Sequence, residues 1–195
     1  MLDRIMGVIT LKAPVYRQIA EDKSDTTNAA IIVAIVTLIS GFFSGLVSID
    51  PATGNSSVSI VGAILGAILG VIFGLIAWAV SSWVLQFIAK QLGGKTDTGE
   101  MLRVTGYVQV FGLVSVLNIL ALAGPLACIS GLMGFVVAIL RLIGYVIGVR
   151  EAAEFTTTNA IITAVIAAIV QFIIVAIPTT ILAVILVALG MAAGS

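Results

Sequence analysis

The stretch IVGAILGAILGVIFGLIAWAVSSWVLQFIA, residues 60–89, decides the fold. It contains no Asp, Glu, Lys or Arg. A strand of a membrane barrel alternates apolar and polar residues, and Ala63-Ile64-Leu65 does not. Backbone groups in hydrocarbon must be paired within their own segment, so the stretch reads as a spanning helix. As a straight helix it measures about 45 Å against a hydrocarbon core of about 30 Å. It is therefore expected to tilt, or to emerge at one end with Ser81, Ser82, Gln86 and Lys90 at the surface.

The rest of the chain is built in the same way. Of 195 residues, 61% are hydrophobic and 9% charged, where a soluble domain carries about 25% charged residues. Four more apolar stretches flank the first: Asn28–Ile49, Val104–Ala123, Leu126–Val149 and Asn159–Met191. The expected fold is all-α, a polytopic transmembrane bundle of five spans. Residues 1–27 form a cytoplasmic or interfacial segment, and residues 28–195 form the transmembrane domain. Little chain is left for a soluble domain of normal size, about 100 residues or more. The last stretch contains Pro178, which removes a helical hydrogen bond, so a kink or a break is expected there. A sixth crossing over Thr179–Met191 is the alternative, though that piece is short for a span.

Basic residues set the orientation. Arg4, Lys12, Arg17 and Lys23 precede the first span; Lys90, Lys95 and Arg103 lie between the second and third; Arg150 opens the link between the fourth and fifth. The links around Asp50-Pro51 and Gly124-Pro125, and the tail after Met191, have no Lys or Arg. This alternation predicts a cytoplasmic N-terminus and an external C-terminus in a multi-pass protein of the cell membrane. Met1–Thr10 does not read as a cleavable signal. Leu2, Ile5, Met6 and Ile9 share one helical face, and Pro14 suits the first turn of a second short helix through Glu21. The pair reads as helices in the headgroup layer that pack on the bundle; the alternative is a docking element for a partner at the cytoplasmic face.

Several chemistries are excluded by composition. There is no His and one Cys, Cys128, which removes imidazole-based metal sites, a His-based triad and a dithiol redox pair. Every acidic residue lies outside the long apolar runs, against an intramembrane aspartyl protease or a carboxylate relay. The net charge is zero, which gives no electrostatic case for nucleic acid. No catalytic residue, metal or cofactor is expected.

Two intramembrane patterns remain. Gly62, Gly66, Gly70 and Gly74 recur every fourth residue and open a groove for close helix packing. The expected neighbour is another helix of the same chain; the same face in a homo-oligomer is the alternative. Gly41 with Gly45, and Gly144 with Gly148, repeat the spacing. Arg141 is the one charge well inside an apolar stretch, nine residues before Arg150 and so about 13 Å from the interface. It reads either as a contact for an anion or lipid headgroup, with Gln109, Asn118 and Gln171 as candidate polar neighbours, or as an arginine snorkelling to the headgroups.

The whole layout resembles a Yip1-domain membrane protein in its short prokaryotic form. The resemblance rests on Lys12-Ala13-Pro14-Val15-Tyr16-Arg17-Gln18-Ile19-Ala20, on Leu92-Gly93-Gly94, and on Met101-Leu102-Arg103-Val104-Thr105-Gly106-Tyr107 running into the third span. After Gly-Tyr, where the family often has proline, the chain reads Val108. The resemblance implies no catalytic residues. In eukaryotic relatives it implies binding of Rab-type GTPases and a role in vesicle traffic, with a longer N-terminal region and an Asp-Leu-Tyr-Gly-Pro type motif that this sequence does not contain. The expected function is that of a non-enzymatic integral membrane protein organising membrane or partner proteins. The alternative is a small transporter, channel or lipid-handling protein with a polar site around Arg141.

Overall fold

A computed structural model describes residues 1–49, 56–114 and 127–188. The described residues are helical almost throughout. Its helices are α1 (Leu2–Ile9), α2 (Ala13–Glu21), α3 (Asp25–Leu46), α4 (Ile60–Gln91), α5 (Thr98–Val108), α6 (Ala127–Ala153) and α7 (Thr157–Ala188). Two short strands between α3 and α4, β1 (Val47–Ile49) and β2 (Ser56–Val58), pair antiparallel with Val47 opposite Val58.

Local chemistry sets the helix ends. Ser59 caps α4, its hydroxyl accepting the Gly62 N–H at 3.0 Å. At the other end Gly93 takes φ +85°, a left-handed conformation that costs glycine little, and the Gly94 N–H returns to Ala89 O at 2.9 Å. Asp97 and Glu100 form a reciprocal capping box at the start of α5.

Three helices are long and apolar enough to cross a membrane: Asp25–Leu46, Ile60–Gln91 and Gly131–Ala153. The first part of α7, Thr157–Val170, is a shorter apolar segment, and the helix continues through residue 178 to Ala188. The expected third span differs most. Its helix begins at Thr98, ahead of Val104, and its α-helical part ends at Val108, passing into a 3₁₀ turn through residue 114. Met101, Arg103, Val104, Thr105 and Tyr107 are all buried, because α3, α4, α6 and α2 surround this helix. Residues 115–126, including the rest of that stretch, lie outside the described residues.

The end of α4 also departs from expectation. Lys90 is exposed, but Ser82 and Gln86 are buried. The Ser82 hydroxyl shares a hydrogen bond of 2.7 Å with Thr105, and Trp78 Nε1 donates to Leu102 O and Thr105 Oγ1 at 3.1 Å each. These polar groups on α4 serve its contact with α5.

The best-packed region lies at the charged end, where Tyr16, Ile19, Met101, Tyr107 and Val149 have no exposed surface. Ile64, Leu65, Phe73 and Ile76 of α4, with Phe135 and Leu142 of α6 and Ile169 of α7, point outward. Such an apolar belt suits lipid as the surrounding solvent.

Candidate functional site

The glycine ladder of α4 meets α3. A Cβ on Gly62 would stand 2.5 Å from Gly45 O, and one on Gly70 would stand 2.7 Å from Thr37 O. A Cβ on Gly66 would overlap Gly41 O, and one on Gly74 would overlap the Thr37 methyl. Gly41 and Gly45 are themselves pressed against Gly66 O and Gly62 O. Small residues therefore face each other on both helices, and the two backbones approach closely. Gly144 and Gly148 on α6 serve other neighbours: Tyr16 OH lies 3.1 Å from where a Gly144 Cβ would be, and the Val104 side chain fills the space beside Gly148.

Above the ladder, a polar network fastens the N-terminal helices. Asp25, 2% exposed, pairs with Arg4 and accepts hydrogen bonds from Tyr107 OH at 3.0 Å and Asn28 Nδ2 at 2.8 Å. Arg4 also reaches Asp22 at 2.8 Å. The Asp22 carboxyl is held down at about 2, first by hydrogen bonds from the Ser24 hydroxyl and then by Arg4. Arg103, 5% exposed, donates through Nε to Ala20 O at 2.9 Å and through Nη1 to Thr26 Oγ1 at 3.3 Å. Its positive charge sits at the C-terminal end of α2, where free carbonyls favour a cation. Arg17 bridges Glu21 at 2.5 Å and Glu154 at 2.7 Å, tying α2 to the end of α6; those carboxylates raise its pKa. Tyr16 donates to Val8 O at 3.1 Å, and burial pushes its phenol well above the ordinary value.

Deeper in the bundle, α3, α4, α6, α7 and the 3₁₀ turn after α5 line a half-open cavity of about 520 Å³. Its size falls within the usual range for small-molecule sites, about 300–1,000 Å³. Ala77 on α4 and Ala164, Ala167 and Ala168 on α7 leave this space, because none has a side chain long enough to fill it, and Gly74 and Gly112 also line it. Arg141, Gln109, Tyr145, Trp78 and Ser81 supply its polar edge. Arg141 donates to Gln109 Oε1, and its guanidinium carbon lies 5.7 Å from the centre of the Tyr145 ring. Gln109 Nε2 donates to Tyr145 OH at 3.3 Å. The ring face is a favourable seat for the cation.

Arg141 and Gln109 thus stand together. Asn118 and the side chain of Gln171 lie outside the described residues. Sequence reasoning overlooked Tyr145, although it follows Arg141 by four residues and so shares its helix face. It also took Arg103 as a topological charge and part of the motif Met101–Tyr107, not as a buried tie between helices. The signal for its buried role was weak, because Ala20 and Thr26 come near it only in three dimensions.

No curated protein and no solved structure matches the chain. The family model of the Yip1 domain does match, over residues 6–192. That match takes in α2, the glycine-packed helix pair and the residues that line the cavity, so the chain belongs to the Yip1 domain family.

Proposed function

We propose that this protein is a non-enzymatic organiser of membrane or partner proteins, acting from the end of the bundle where α1 and α2 dock. The observation that supports this reading is the firm seating of α2. Tyr16 and Ile19 have no exposed surface, and Arg17 bridges to Glu154. A loose tether would leave such residues in water. With α2 held, α1 presents Leu2 at 74% and Met6 at 59% exposure in a defined direction. A rigid apolar face of this kind lowers the ordering cost of engaging a partner.

A photoreactive side chain at Met6 tests the proposal in intact cells, with one at Ile72 in the outward face of α4 as the reference. A discrete protein adduct is expected at Met6 and lipid adducts alone at Ile72. Lipid adducts alone at both positions would reduce α1 to a headgroup-layer helix and reject partner organisation from this face.

The proposal includes five crossings with the N-terminus in the cytoplasm and the C-terminus outside, on the alternation of Lys and Arg between links. A reporter after Ser195 is expected to read outside, and one between Leu92 and Glu100 inside. A cytoplasmic reading at Ser195 would require an even number of crossings.

A transporter, channel or lipid-handling role is the second reading, and the cavity favours it. Flux of ions or fluorescent lipids in proteoliposomes above that of empty liposomes would put it first.

A further inference from the structure

Arg103 and Arg141 are accommodated in opposite ways. Arg103 is buried, and all three nitrogens of its guanidinium donate to Ala20 O or Thr26 Oγ1. Arg141 is half-buried and lines the cavity. Its hydrogen-bond partner is the neutral Gln109, and it forms no ion pair among the described residues. A guanidinium carries five N–H donors in a planar fork suited to phosphate, and one amide oxygen engages only part of it.

Depth gives the cavity a direction. Arg141 precedes Arg150 by nine residues, and Ser81 precedes Lys90 by nine, so both stand about 13 Å below the charged end of the bundle. Gly74 lies about 10 Å deeper than Ser81 along α4. The deeper hydroxyls are engaged: Thr37 donates to Val33 O at 2.7 Å, and Ser40 to Gly112 O at 3.5 Å. The cavity is thus cationic at its shallow edge and lined by small and apolar groups below.

We infer that this cavity binds an anionic lipid, its acidic headgroup on the Arg141 guanidinium and an acyl chain in the space beside Ala77 and the alanines of α7. The headgroup neutralises a charge that is expensive at this depth. The chain fills apolar volume that a free inorganic anion would leave empty. This site goes beyond the organising role and stands whether or not α1 recruits a partner.

The test compares the full chain with Arg141→Lys, Arg141→Leu and Ala164→Phe, each confirmed as helical by circular dichroism. Lipid retention is measured by native mass spectrometry after incubation with phosphatidylglycerol or phosphatidylethanolamine, and with inorganic phosphate as a separate arm. The unaltered chain is expected to retain one phosphatidylglycerol, about tenfold over phosphatidylethanolamine, because the ethanolamine ammonium offsets the phosphate charge that the guanidinium engages. Arg141→Lys should keep about a tenth of that retention, because an ammonium lacks the planar fork. Arg141→Leu should lose it. Ala164→Phe should also lose it with the arginine intact, because the ring occupies the chain's space. Equal retention by all forms would overturn the site. Retention by Ala164→Phe alongside loss in Arg141→Leu would place the lipid outside the cavity. Inorganic phosphate binding as tightly as phosphatidylglycerol would overturn the lipid assignment. If Arg141→Leu does not fold, the Lys and Phe forms still decide between these results.

Discussion

Leucine at Gly66 and Gly70 together is expected to abolish the folded bundle. A Cβ at Gly66 overlaps Gly41 O, and one at Gly70 stands 2.7 Å from Thr37 O. Both obstacles are backbone atoms of a helix, so no rotamer change relieves them. The two helices must separate, which also pulls Gly62 from Gly45. Overpacking typically costs about 1–3 kcal/mol where side chains can adjust. With backbone as the obstacle, about 3 kcal/mol or more per site is expected. Low yield and a lost melting transition in detergent are the readouts. Leucine at Gly131 and Gly134 is the control, because nothing among the described residues lies within 4 Å of a Cβ at either position. If the Gly66 and Gly70 form melted like the control, α3 and α4 would not be packed backbone to backbone.

Asp25→Leu is the second large effect. Asp25 is 2% exposed and gathers Arg4, Tyr107 and Asn28. Removing its carboxylate leaves the Tyr107 hydroxyl without that acceptor and the Arg4 cation without its buried partner. Breaking a buried pair costs about 3–5 kcal/mol; the lower end applies because Arg4 keeps Asp22 and some solvent. Thermal unfolding should fall to lower temperature, and α1 should become accessible to protease before the rest of the chain. Glu21→Ala is the comparison. Its side chain is 61% exposed and pairs with Arg17 one turn earlier on α2, so the change costs about 0.5 kcal/mol or less. An unchanged melt for Asp25→Leu would remove the network from any role in holding α1.

Local patterns in the chain were legible without coordinates. Apolar runs long enough to cross a bilayer identify α3, α4 and α6, because helix length and hydrocarbon thickness are matched by simple geometry. The fourfold glycine spacing was equally plain, since i and i+4 share a face within a single helix. Arg141 stood out as a charge where charge is expensive.

Other features depended on which helices meet. Apolar composition alone did not show what surrounds the described part of the Val104–Ala123 run. Yet Arg103, Thr105 and Tyr107 in α5 are surrounded by protein, and this helix starts at Thr98. Hydropathy measures transfer from water and does not distinguish a lipid neighbour from a packed side chain. The partner of the α4 ladder, the seating of Tyr16 against Gly144, and the pairing of Asp25 with Arg4 and Tyr107 all join segments distant in sequence. Arg141 meets Gln109 across thirty-two positions for the same reason. Sequence determined the residues suited to hydrocarbon and the small faces that permit close approach, because both follow from one helix and its solvent. Tertiary structure decided which of those faces found each other, because packing and hydrogen bonding between helices depend on the whole arrangement.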